Sequence, residues 1–85
     1  YIDKYSFSLN AGETLEIKPF VNKLLKIGYR RVSTVMEQGE FNIKGALIDL
    51  YPMGAKSPYR IDLFDNEIDS IRTFKASTQR SIDVI

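Results

Sequence analysis

Two alternating runs that meet at an Asp-Asn pair constrain this chain more than any other feature. Tyr59, Ile61 and Leu63 alternate with Arg60, Asp62 and Phe64; after Asp65 and Asn66 the chain resumes as Glu67-Ile68-Asp69-Ser70-Ile71-Arg72-Thr73-Phe74. A period of two marks a half-buried strand, and Asp and Asn tolerate the backbone that a tight reversal demands. The pattern predicts a β-hairpin. A two-residue loop pairs Phe64 with Glu67, Leu63 with Ile68, Asp62 with Asp69 and Arg60 with Ile71. One face then carries Tyr59, Ile61, Leu63, Ile68 and Phe74, with Ser70 and Arg72 among them, and the other carries Arg60, Asp62, Phe64, Glu67, Asp69 and Ile71. A lone hairpin is marginal in water, so the rest of the chain must cover its apolar face.

The upstream sequence offers that cover. Tyr5, Phe7 and Leu9 alternate with Lys4, Ser6 and Ser8, which predicts a strand, and Asn10-Ala11-Gly12-Glu13 reads as a turn. Ile17, Phe20, Val21 and Leu24 follow the i, i+3, i+4, i+7 spacing of one amphipathic helix, with Leu25 widening the stripe. Pro19 fits its first turn and Gly28 its C-terminal stop. Residues 29–36 (YRRVSTVM) have β character, residues 37–40 form a turn, and residues 41–51 (FNIKGALIDLY) read as one long strand or two short ones. Gly45 is expected to be a bulge there, which leaves the facing of Lys44 open. Residues 53–58 form an exposed loop, and the chain beyond Lys75 has no clear period. The expected fold is α+β, an antiparallel β-sheet with one main amphipathic helix packed on it.

The 85 residues suffice for a single domain and no more. The start at Tyr1 rather than Met leads us to expect a fragment of a larger protein. Twelve basic and 11 acidic residues leave a net charge of +1, and neither half of the chain is polarised, so electrostatics alone makes no case for DNA, RNA or an anionic membrane. The absence of Cys and His excludes disulfides, thiolate nucleophiles, imidazole bases and His- or Cys-ligated metals. No Gly-Lys pair exists, so there is no Walker-type phosphate loop. Nothing approaches the ~20 apolar residues that span a bilayer. These exclusions leave no expected catalytic, cofactor-binding or metal residues, and a cytoplasmic setting.

Three constellations remain. Asp62, Asp65, Glu67 and Asp69 crowd the hairpin and could hold a hard cation, but a solvated turn explains them as well and the EF-hand glycine is missing. Tyr29, Phe41, Tyr51, Tyr59, Phe64 and Phe74 interleave with basic residues, as in a base-stacking sheet, yet most alternate into a buried face. Phe64 stands apart as a large aromatic among Arg60, Asp62, Glu67 and Asp69. That is either the anatomy of a protein-binding hot spot or a face covered by a neighbouring element.

The chain also resembles a known family. The segments Gly28-Tyr29-Arg30-Arg31-Val32, Val35-Met36-Glu37-Gln38-Gly39-Glu40-Phe41, Gly45-Ala46-Leu47-Ile48-Asp49-Leu50-Tyr51-Pro52-Met53-Gly54 and Tyr59-Arg60-Ile61-Asp62-Leu63-Phe64-Asp65-Asn66-Glu67-Ile68-Asp69-Ser70-Ile71, with Thr78-Gln79-Arg80-Ser81, are similar to the UvrB-like domain of the bacterial transcription-repair coupling factors, the Mfd family. The second domain of UvrB has a related pattern, and the Pro52-Met53-Gly54 element looks more like the coupling factors. The resemblance implies a docking domain that binds UvrA, bringing nucleotide excision repair to stalled transcription. It implies no enzyme activity in the domain itself, because the ATP-driven translocase motor of such proteins lies elsewhere. RNA polymerase and DNA are implied partners of the full-length protein, and the domain itself is expected to be monomeric. The family's UvrA-contacting positions fall on Lys44, Arg60 and Phe64. The first is typically Arg, so Lys44 keeps the charge but loses the planar fork. The rival expectations are the equivalent domain of UvrB, a nucleic-acid-binding β module, and a cation-binding hairpin.

Overall fold

A computed structural model describes residues 9–84. The strand expected around Tyr5 and Phe7 lies outside the described residues, whereas Leu9 packs partly buried against the core. The turn that follows is closed by Glu13 N–H donating to the Asn10 carbonyl and by Asn10 N–H donating to the Glu13 carboxylate.

Helix α1 spans Ile17–Lys26. Pro19 falls in its first turn, where a missing N–H costs nothing. Its C-terminus is a full Schellman motif: Gly28 takes a φ of 100°, its N–H donates to Leu25, and the Tyr29 N–H donates to Leu24. Lys23 and Lys26 sit in the last turn, where cations complement the helix dipole. Phe20 and Leu24 are buried, but Leu25 is 51% exposed and does not widen the buried stripe.

Among the described residues the sheet has six strands in sequential order: β1 (Arg30–Arg31), β2 (Glu40–Lys44), β3 (Leu47–Tyr51), β4 (Tyr59–Phe64), β5 (Glu67–Lys75) and β6 (Arg80–Val84). β1 runs parallel to β2, and every later pairing is antiparallel. The expected α+β architecture is the observed one. One face of the sheet and α1 share a core of Phe20, Leu24, Phe41, Ile48, Leu50, Ile61, Leu63, Ile68 and Ile71, with Leu15 and Tyr29 at its margin. The buried Tyr29 hydroxyl has a partner, accepting the Met53 N–H at 2.9 Å.

Three local expectations are corrected. The β character of residues 29–36 yields only a two-residue strand, because the Val32 N–H donates to the Phe41 carbonyl and the chain then leaves the sheet. Gly45 is not a bulge; with Ala46 it forms a two-residue loop between β2 and β3, and its φ of 60° is one glycine takes without strain. The β4–β5 hairpin starts in the expected register, Phe64 with Glu67 and Leu63 with Ile68, but then shifts so that Asp62 meets Ser70, Ile61 meets Ile71 and Arg60 meets Arg72. Asp69 is the extra residue of this bulge. Its insertion rotates the rest of β5, sending Ile71 into the core at 2% exposure and Phe74 to the opposite face.

Candidate docking face

Cross-strand pairs project to the same side of a sheet, so the strand register determines which side chains share the face opposite α1. Lys44 pairs with Leu47 and Asn42 with Asp49. Leu47 in turn pairs with Asp62, and Asp49 with Arg60. Alternation along β4 adds Phe64. The two-residue Gly45-Ala46 loop thus puts Lys44 on the same face as Arg60 and Phe64. The four-residue step from Arg60 to Phe64 spans about 13 Å along the strand.

The three residues differ in how they are held. Phe64 is 74% exposed, so no neighbouring element among those described covers it. Lys44 is exposed and makes no ion pair with a described residue. Arg60 is engaged on several sides. Its Nε donates to Asp49 Oδ1 at 2.8 Å and its Nη2 to Oδ2 at 3.2 Å, a bidentate fork, while Nη1 donates to the Gln79 carbonyl at 3.0 Å. The guanidinium carbon lies 4.5 Å from the centre of the Phe74 ring. Hydrogen bonding to Asp49 raises the Arg60 pKa further above its ordinary value, against the desolvation that opposes it. Arg60 is therefore built into the fold: its side chain is only 19% exposed, and it closes over a buried aromatic.

Lys44 and Arg60 line a polar groove of about 370 Å³ together with Asn42, Leu47 and Asp49, and with Ser33, Thr34 and Gln79 in its wall. The wall of residues 33–36 is positioned by Glu40. This carboxylate is 7% exposed, accepts the Met36 and Glu37 N–H groups at 2.9 Å each, and pairs with Arg30 at 3.0 Å. The two backbone N–H bonds, with a smaller contribution from Arg30, hold its pKa below the usual carboxylate range in spite of burial. No periodicity marks Glu40, Asp49 or Gln79 in the sequence; each lies within the segments that carry the family resemblance.

Other constellations do not assemble. Among the described residues no three carboxylates come together as a metal site. Of the interleaved aromatics, Tyr29, Phe41 and Phe74 are buried, which removes them as a stacking platform.

With the geometry of this face in view, the chain can be set beside the proteins it is similar to. The model of the UvrB interaction domain matches residues 7–85. The chain belongs to the UvrB interaction domain family. It is 46% identical over its whole length to the transcription-repair-coupling factor of Haemophilus influenzae, and 48% identical over 81 residues to that of Staphylococcus haemolyticus. The chain spans about 7% of the length of these relatives. A UvrB interaction domain is a docking module, and the match fits a sheet face that carries charge and an exposed aromatic. Among the described residues no helix is long and apolar enough to cross a membrane.

Proposed function

We propose that this domain binds UvrA through the face opposite α1, and that in its parent protein this docking links stalled transcription to nucleotide excision repair. The observation that carries the reading is the exposed aromatic: Phe64 lies 74% open on the same face as Lys44 and Arg60, the three positions the family resemblance assigns to UvrA. An exposed aromatic that shares a face with an Arg belongs to the residue types from which protein-binding hot spots are drawn. The face is wide enough. The whole domain measures 28 × 28 × 22 Å, against the roughly 800 Å² per partner of a standard interface. The relatives' identity as coupling factors favours that parent over UvrB, whose equivalent domain would use the same surface. In such a parent, RNA polymerase and DNA engage other parts of the protein, the domain acts as a monomer, and the setting is the cytoplasm.

The test is capture of purified UvrA by the chain, with Phe64→Ala beside it. UvrA retained by the parent and lost from Phe64→Ala, at equal thermal stability, supports the reading. A parent chain that ignores UvrA but shifts short DNA in a salt-dependent way reverses it in favour of the nucleic-acid module.

A further inference from the structure

Gln79 is the most heavily used residue on the outer face, and nothing in the docking reading assigns it a role. It lies in the β5–β6 turn with a φ of 61°, a left-handed backbone that a non-glycine residue rarely adopts. Its N–H donates to the Lys75 carbonyl at 2.6 Å, which closes the turn. Its carbonyl accepts Arg60 Nη1 at 3.0 Å. Its side-chain amide Nε2 donates to the Val35 carbonyl at 2.9 Å and to the Ala76 carbonyl at 2.8 Å. One residue therefore ties together three stretches that are remote in sequence: the wall of residues 33–36, the guanidinium on β4, and its own turn. Val35, whose carbonyl it grips, is fully buried, as is Phe74 beneath Arg60; neither belongs to the main core cluster. Outside that cluster, directional bonds must define the geometry where apolar area cannot.

We propose that Gln79 is a positioning residue of the docking face. Its amide clamps residues 33–36 against the β5–β6 turn, and the turn's carbonyl then holds the Arg60 fork flat on Asp49 and over Phe74. Without the clamp, the groove that Lys44 and Arg60 line loses part of its wall and the guanidinium regains rotamer freedom that partner binding must remove again. The proposal rests on the docking reading, and its test separates the two.

Two variants of the purified chain are compared with the parent. Gln79→Gly keeps the carbonyl that Arg60 uses and accepts the φ without strain, so it retains the fold. Gln79→Met keeps the bulk and loses the side-chain amide. The first readout, in the free chain, is solvent exchange of the Arg60 Nε–H followed by NMR. It accelerates several-fold in both variants if Gln79 immobilises the guanidinium. The second is UvrA binding, which weakens by about three- to tenfold, with a loss that is non-additive with Arg60→Ala but additive with Phe64→Ala. Unchanged Nε–H exchange overturns the proposal whatever UvrA does. Accelerated exchange with parental UvrA binding, or a binding loss additive with Arg60→Ala, overturns the positioning role. A parent that fails to bind UvrA overturns the docking reading and the role of Gln79 in it, while the exchange measurement still reports whether the clamp exists.

Discussion

The two faces of the sheet are held together by different physics. Under α1, aliphatic and aromatic side chains from the helix and β2–β5 form one continuous cluster, and its stability scales with apolar area removed from water. On the opposite face, Phe74 and Val35 are as deeply buried, but their neighbours are polar: the Arg60 guanidinium, held by Asp49, lies over the Phe74 ring, and the Gln79 amide bonds the Val35 carbonyl. The first face tolerates small shifts, since burial has no direction. The second depends on bonds whose geometry is specific, and it leaves Phe64 and Lys44 to solvent. The contrast is between a face closed by apolar area and a face closed by directional bonds, with Arg60 at the centre of the second.

The comparison can be broken most decisively from the core. Ile61→Ala removes a fully buried side chain from the centre of the main cluster and should cost about 2–5 kcal/mol in denaturant unfolding. A loss under 1 kcal/mol would show that this face is not the principal source of stability. Arg60→Glu should come next. It places a carboxylate beside Asp49 and uncovers Phe74, and we expect about 1–3 kcal/mol of destabilisation. An unchanged midpoint would mean that the fork on Asp49 contributes nothing to the fold.

Glu40 sharpens the comparison through pH. Its folded pKa lies below its unfolded one, so its contribution is fully present above the unfolded value and fades as pH falls through the folded value. Glu40→Gln should therefore lower stability by about 1 kcal/mol near neutrality, with the gap to the parent closing below about pH 4. A gap that persists unchanged at acid pH would assign the effect to packing rather than to charge. The smallest effect on stability belongs to Phe64→Ala, within about 0.5 kcal/mol of the parent because the ring is open to solvent. Its effect on UvrA binding should be about 2 kcal/mol, roughly thirty-fold. If Phe64→Ala instead unfolds like a core truncation, the ring is not the free aromatic that the docking face requires.

What could be read without coordinates was local. The 3.6-residue period of Ile17, Phe20, Val21 and Leu24, the stop at Gly28 and the reversal at Asp65-Asn66 each depend on neighbours a few residues away, and each stands where the pattern puts it. Phe64 and Arg60 were likewise assigned to the outer face by alternation within a single strand, and the family resemblance added Lys44. The bulge at Asp69 was not legible, since an extra residue in a strand leaves its alternation looking regular while reversing the side to which everything after it points. Nor was the engagement of Arg60, whose partners lie 11 and 19 residues away, or the clamp from Gln79 to Val35 across 44 residues. Periodicity reports which side of its own strand a residue faces. Whether that side is then closed by charge or left open for a partner depends on segments brought together from elsewhere in the chain, and only the tertiary structure decides it.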